Sequence, residues 1–303
     1  MRIDKSSVGV IGLGLIGIPV AKHLAAAGYE VFGFDIDPKR REAAAEHGVV
    51  AAASIADIGT RTQVLISALP SWSALDSVCE ELQRTEVHGS RVLIEVSTLK
   101  IEEKMSAQQR LAKAEIILLD CPVLGTSAQA HAKELVMCAS GSHDVFESVK
   151  DIIAAFTQRC EYLGDLGAGT KMKLIANLLV GVHNAVVAEA LTLGACAGLE
   201  PATILRVLTG SAAGSRQLEL RGPMMVDRRF SPAAATTTVF AKDVGLISEL
   251  ARSVNCPVPM HSAASNLYMS ALASGYADED LSSVFLVLAA LAGKNAARNG
   301  QKS

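Results

Sequence analysis

The sequence predicts an α/β chain: a doubly wound parallel sheet over 1–165, then an all-helical domain over 166–303 entered through a long helix. Three observations predict it. Short apolar runs alternate with helix-period stretches up to about residue 165, and the strand signal stops after Gly169. The length, 303 residues, exceeds what one compact core usually serves. Strand and helix in alternation imply parallel strands joined by crossovers, with helices on both faces.

In order, "VGVIGLG" (Val8–Gly14), "YEVFGFD" (Tyr29–Asp35), "QVLISAL" (Gln63–Leu69), "RVLIEVS" (Arg91–Ser97) and "EIILLDCPV" (Glu115–Val123) read as strands. Each is short, rich in β-branched residues and bounded by glycine, proline or polar residues. Between them, Ile16–Ala27, Pro38–His47, Ser73–Arg84 and Ile101–Lys113 carry helical period. "ELVMCAS" (Glu134–Ser140) and "RCEYLG" (Arg159–Gly164) are expected as further strands that extend the sheet. Gly164, Gly167 and Gly169 mark the expected domain joint. Thr170–Gly198 reads as one helix, about 45 Å long at 1.5 Å per residue. Pro201–Leu208, Ala241–Ser253, Met260–Ser274 and Leu281–Ala292 follow, with Pro201 and Pro259 at helix starts, where proline is tolerated.

Composition narrows the function classes. Half the residues are hydrophobic and 19% are charged, so the chain is expected to fold throughout. A formal net charge of −3 gives no electrostatic reason to expect nucleic acid or an anionic membrane. Arg216, Arg221, Arg228 and Arg229 read as a solvated basic patch. The six cysteines lack paired spacing, which argues against a disulfide framework or a metal site and for a reducing, cytoplasmic compartment. "MRIDKSSVGVIG" has no apolar signal core. The most apolar segment, Leu174–Leu199, is interrupted by Asn177, His183, Asn184 and Glu189. A buried helix fits it better than a membrane span, so no membrane is expected.

Gly12, Gly14 and Gly17 stand in the G-x-G-x-x-G spacing directly after a strand and at the opening of a helix. In that context the glycines serve a tight turn, close approach of a pyrophosphate and helix–strand packing. The backbone of Leu13, Leu15 and Ile16 completes the expected cofactor loop. The helix start offers unpaired N–H groups to the phosphates. Asp35 ends the next strand, where a carboxylate binds a ribose 2′-hydroxyl and repels a 2′-phosphate. NAD is therefore expected, while Lys39, Arg40 and Arg41 on the following helix keep NADP open.

From Val8 to Val287 the chain resembles the β-hydroxyacid dehydrogenase family. Four motifs in order carry the resemblance: "GLGLIGIPVAKHLAAAG" (Gly12–Gly28), "DCPVLGTSAQA" (Asp120–Ala130), "GAGTKMKLIAN" (Gly167–Asn177) and "FAKDVGL" (Phe240–Leu246). "GSRQLELRGPMMVDRRFSP" and "DEDLSS" also resemble the tartronate semialdehyde and threonate branches. The resemblance implies a Rossmann domain and an NAD(P)-dependent oxidoreductase interconverting a small 3-hydroxy acid and its semialdehyde. It implies Lys173 as the acid/base group, with Asn177 and Lys242 near the substrate. Lys242 is also expected to close over the cofactor, and Asp243 to be structural. Leu69 and Pro70 are expected along the cofactor, and Thr98, after Ser97, near the nicotinamide.

The residues themselves agree on Lys173. Residues four apart share a helix face, so Lys173 and Asn177 can reach one pocket, whereas Lys171 points elsewhere and is expected in solvent. A free lysine, with a pKa near 10.4, is a poor base at neutral pH. Burial, a positive helix start and a nicotinamide cation all lower it.

The second motif departs from the family pattern Asp-x-Pro-Val-Ser-Gly-Gly, whose Ser-Gly-Gly binds the substrate carboxylate. Leu124 stands at the serine and Thr126 at the last glycine, with Gly125 retained. Backbone N–H groups at 125 and 126, or Thr126, Ser127 or Gln129, are the expected replacement donors. A lost donor changes the preferred substrate. Ala176 replaces a second asparagine beside Asn177. Two alternatives stand beside the dehydrogenase. An imine reductase-like NAD(P)H oxidoreductase is favoured by Leu124 and opposed by Lys173; a non-catalytic cofactor-bound scaffold is opposed by Lys173 and Lys242. The apolar long helix points to a homodimer or homotetramer built through the helical domains.

Overall fold

A computed structural model describes residues 4–85 and 91–293. The chain divides into two compact units, the first ending at Lys173 and the second beginning at Leu174.

The first unit is built on a six-stranded sheet of β1 (Ser7–Ile11), β2 (Glu30–Phe34), β3 (Val50–Ala51), β4 (Val64–Ser67), β5 (Arg91–Glu95) and β6 (Ile116–Asp120). The order is β3-β2-β1-β4-β5-β6 and every pairing is parallel. That is the dinucleotide-binding order, with its reversal between β1 and β4. β1, β4 and β5 are buried along their whole length, as parallel strands covered on both faces must be. Helices α1 (Gly17–Ala26), α2 (Pro38–Ala45), α3 (Ile55–Arg61), α4 (Trp72–Arg84) and α5 (Ile101–Ala112) cover the faces. α4 shows why such segments are helical: Ser71 caps it by accepting from Ala74 N, and Leu75, Val78, Cys79 and Leu82 bury one stripe. One apolar cluster forms under α1 around Val10, Val20 and Ile66, and another under α3–α5 around Ile58, Leu82 and Leu111.

The segments expected to extend this sheet form a second one instead. β7 (Val123–Leu124), β8 (Val136–Ala139) and β9 (Arg159–Tyr162) make a three-stranded sheet in that order, β7 antiparallel to β8 and β8 parallel to β9. Pro122 has no N–H to give, so the run read as one strand over Glu115–Val123 ends at Asp120 and resumes with a new partner. Asp120 and Ser140 exchange backbone hydrogen bonds at 2.9 and 2.8 Å, joining the two sheets by one bridge. Between these strands lie α6 (Ser127–His131) and the crossover helix α7 (His143–Phe156).

Helix α8 (Ala168–Cys196) begins in the first unit and runs through the second. Gly169 lies in its first turn, where a Cβ would collide with the carbonyls of Cys138 and Asp120, an approach only glycine allows. The second unit continues with α9 (Pro201–Leu208), α10 (Arg216–Val226), α11 (Thr237–Ser253), α12 (Pro259–Ala273), a 3₁₀ turn (Leu281–Ser283) and α13 (Val284–Leu291). Among the described helices, α8 alone has the length and hydropathy to cross a membrane. Its Ala185, Val187, Ala188 and Leu191 are nevertheless buried in the core of the second unit with Tyr268, Val284 and Phe285. Asn184, fully buried on the same face, donates to Tyr268 Oη (3.1 Å) and the Leu281 carbonyl (3.0 Å).

The expected basic patch is corrected at one position. Arg216, Arg228 and Arg229 are exposed, but Arg221 is buried in α10. Its Nε lies 3.1 Å from Asp280 Oδ1 and its NH1 donates to Gln217 Oε1 at 2.6 Å. The two segments "GSRQLELRGPMMVDRRFSP" and "DEDLSS" thus meet through a buried ion pair.

Candidate functional site

The glycine loop follows β1 at the switch point of the sheet. Gly12 takes φ +89° and donates its N–H to Phe34 O (2.8 Å), and a Cβ on Gly17 would collide with the Gly12 carbonyl. Only glycine serves at either position. Gly14 differs, because a Cβ there would meet nothing closer than Arg40 NH1 at 3.7 Å. Its open side is the space a pyrophosphate needs. α1 starts at Gly17 with no side-chain cap and no acidic residue in its first turn, leaving N–H groups and the positive dipole end for an anion. These residues fit a dinucleotide.

Leu13 is placed otherwise. Its side chain is buried and its N–H donates to Asp35 Oδ2 at 2.8 Å, so it holds the loop and has no donor left for a phosphate. Asp35 is 5% exposed; its Oδ1 accepts from Asp37 N (2.9 Å), and Arg40 NH1 approaches Oδ2 at 3.4 Å. Arg41 donates to the Asp35 carbonyl at 2.5 Å and covers the Phe34 ring. Leu15 is exposed and Ile16 half-buried on the loop.

The remaining residues of this half stand at the C-terminal ends of parallel strands, the edge where open α/β sheets bind ligands. Leu69, after β4, donates its N–H to Ser97 Oγ at 2.8 Å. Pro70 is exposed beside it, and Thr98, after β5, is half-buried. Lys173 is half-buried on α8, and its Nζ donates to the Val123 carbonyl at 2.8 Å, immediately before Leu124. Lys171 is exposed. The buried Cys138 thiol is pushed up by burial, with the Lys173 ammonium pulling it partly back.

In the loop Leu124–Thr126, one of the expected backbone donors is already taken. Thr126 N donates to Gln129 Oε1 at 2.9 Å, and the Ser127 hydroxyl donates to Leu15 O at 3.2 Å. The N–H donor fixes which end of the Gln129 amide is oxygen, and its Nε2 donates to none of the described residues. Leu124 is half-buried and Gly125 exposed.

In the second unit, Asn177 Nδ2 donates to Asp243 Oδ2 at 2.8 Å, and Lys242 Nζ lies 3.3 Å from Asp243 Oδ1. Asp243 therefore brings together the two substrate residues expected there. Asn177 and Asp243 are buried and Lys242 is exposed.

Sequence reasoning missed a charged cluster beneath the first half of the site. Lys104, on α5, is fully buried with Glu95 and Asp120. Its signal was slight: a glutamate inside the apolar run "VLIEVS", and an acidic residue at the end of the next strand.

Comparisons with known proteins bear on the fold and the family. Residues 7–164 match the family described as the NAD binding domain of 6-phosphogluconate dehydrogenase. Residues 167–288 match the NAD-binding family of NADP-dependent 3-hydroxyisobutyrate dehydrogenase. An L-threonate dehydrogenase of Cupriavidus necator is 32% identical over 93% of this chain and 95% of its own length. A crystal structure of 3-hydroxyisobutyrate dehydrogenase from Salmonella typhimurium superposes with a TM-score of 0.84 at 29% identity, covering 93% of this chain and 99% of that one. An imine reductase from a Pseudomonas species reaches 0.60 at 18% identity over 94% of this chain and all of its own, a likeness of fold alone.

Proposed function

Because this chain belongs to the β-hydroxyacid dehydrogenase family, and so moves a hydride between a nicotinamide cofactor and a small hydroxy acid, we propose that Lys173 is its general acid/base. The observation that carries this is the bond from Lys173 Nζ to Val123 O at 2.8 Å, which turns the amine toward the loop Leu124–Thr126. The nicotinamide, when bound, supplies the hydride acceptor or donor. Lys173 takes the hydroxyl proton as the hydride leaves, and its ammonium returns it to the carbonyl oxygen in reverse. Asn177 and Lys242, joined through Asp243, hold the substrate's polar groups. Gly14, Leu15, Ile16 and the α1 start hold the pyrophosphate, and Leu69, Pro70 and Thr98 border the nicotinamide.

NAD is the preferred cofactor in this reading. The Asp35 carboxylate faces a ribose 2′-hydroxyl well and a 2′-phosphate badly, and Arg40 at 3.4 Å offsets only part of its charge. The substrate carboxylate is held at Gly125 N and Gln129 Nε2, donors left over once Thr126 N has engaged Oε1. The compartment is cytoplasmic, supported by six cysteines that are all free thiols. The oligomer is a homodimer or homotetramer built on α8. Ile175, Leu179, Val186 and Leu193 are 50–70% exposed and fall on one stripe of that helix, a face suited to a second copy.

The test is a panel of 3-hydroxy acids, including L-threonate and 3-hydroxyisobutyrate, each with NAD and NADP, beside cyclic imines with the reduced cofactors. A hydroxy acid is oxidised, with kcat/KM about tenfold higher for NAD, the size of about 1.4 kcal/mol. Turnover of cyclic imines alone would sink the reading, and an NADP preference would sink the cofactor assignment. In the same assay Leu124→Ser raises kcat/KM for 3-hydroxyisobutyrate about tenfold, as one added charge-assisted hydrogen bond of roughly 1.5 kcal/mol does. No gain would mean that the added hydroxyl does not reach the carboxylate.

A further inference from the structure

Lys104 holds together the loops that the reaction needs. Its Nζ, fully buried, lies 2.7 Å from Glu95 Oε2 and donates to Asp120 Oδ1 at 2.6 Å and to the Ser97 carbonyl at 2.7 Å. The ammonium thus donates two hydrogen bonds, to Asp120 and the Ser97 carbonyl, and forms an ion pair with Glu95. Burial pushes this ammonium toward neutrality, but the Glu95 and Asp120 carboxylates push harder the other way and hold its pKa above the ordinary value.

The bonds continue outward in two directions. Asp120 accepts the Thr170 N–H and the Thr170 hydroxyl, both at 2.8 Å, and Ser140 Oγ links Asp120 to Gly169 N, which it accepts at 2.9 Å. These are residues of the first turn of α8, and Lys173 follows one turn later. On the other side, Glu95 Oε1 accepts Ser97 N at 2.9 Å and Ser97 Oγ accepts Leu69 N at 2.8 Å. Thr98 is the next residue, and Leu69 leads into Pro70. The strand ends β4, β5 and β6 and the start of α8 are all keyed to one cation. An apolar trio of the same volume would serve stability about as well, so the cluster's distinctive property is direction.

We propose that Lys104 is a positioning residue for hydride and proton transfer, holding the Ser97–Thr98 loop in register with the first turn of α8 and so with Lys173. This rests on the acid/base reading of Lys173. A displacement of about 1 Å at reacting atoms costs about 100-fold in rate, so loss of the cation is read in kcat rather than in binding.

The experiment compares Lys104→Met, the charge-conserving double variant Glu95→Gln/Lys104→Gln, and Thr170→Val. Steady-state kinetics are run on the best substrate of the panel, with circular dichroism to confirm folding. Lys104→Met lowers kcat about 30- to 100-fold while KM for NAD and for the hydroxy acid stays within about threefold. The double variant keeps the cluster's single net negative charge and supplies amide donors, and it recovers kcat to within about fivefold of the parent. Thr170→Val cuts only the hydroxyl tie from α8 to Asp120 and lowers kcat about tenfold, which decides the matter if Lys104→Met does not fold. A folded Lys104→Met with parental kcat overturns the proposal, as does a double variant no better than the single, or an unchanged Thr170→Val. Lys173→Ala is measured alongside. If it still turns over, the acid/base reading fails and takes this proposal with it; if it is inactive while Lys104→Met is unimpaired, only the positioning role falls.

Discussion

Lys173→Ala lowers kcat by about 10³-fold and leaves the dissociation constant for NAD within about threefold. Removing a positioned acid/base group costs about 10²- to 10⁴-fold. Alanine is the best helix former, so α8 keeps its start. The Val123 carbonyl that accepted from Nζ at 2.8 Å lies beside a half-buried loop, where water can replace the lysine. Calorimetric titration of NAD and steady-state kinetics separate the two readouts. Lys173→Arg should fail equally, because a guanidinium does not give up its proton in proteins. Lys171→Ala, at an exposed neighbour, should stay within about twofold of the parent. Retained turnover in Lys173→Ala would end the assignment.

Asp280→Ala destabilises the second unit by about 3–5 kcal/mol, the usual result of leaving a buried charge without its partner. Asp280 is fully buried; Oδ1 accepts from Arg221 Nε (3.1 Å), Ser282 N (2.9 Å) and Ser282 Oγ (2.7 Å), and Oδ2 from Ala235 N (3.3 Å). Removing it strands Arg221 and frees the segment that leads into α11, where Thr237 N donates to Glu279 O at 2.8 Å and Leu281 N to Ala235 O at 3.0 Å. Scanning calorimetry should record a fall in Tm of the order of 10 °C. An unchanged Tm would show that this pair contributes nothing to stability.

These two residues also show what was legible in the sequence. Lys173 was singled out by the family resemblance of its motif, and the four-residue spacing to Asn177 only agreed with it by placing both on one helix face. Arg221 stood among Arg216, Arg228 and Arg229, and a linear sequence does not say that one of them points inward toward a carboxylate 59 residues away. The helix that carries it, α10, was not foreseen because Pro223 lies inside it. The alternation of strands and helices was plain from β-branched runs and helical period. β3 was not, since Val50–Ala51 is two residues long and both are exposed. The split into two sheets turned on Pro122 and on the pairing of Asp120 with Ser140, a long-range choice that periodicity does not encode. Lys104 was hidden for a related reason. On "IEEKMSA" it reads as one of several solvated charges, and only the folding of β5 and β6 against α5 encloses it.

Asp35 carries a further consequence for how such an enzyme can change. The carboxylate expected to meet the ribose is also the clasp that closes the glycine loop through Leu13 N and the next turn through Asp37 N. Exchanging it for a neutral or basic residue to welcome a 2′-phosphate would unfasten both at once. Conversion to the phosphorylated cofactor is therefore not a one-step path in this chain. A second change that re-anchors the loop must come first or together with it, and intermediates lacking it would hold either cofactor poorly.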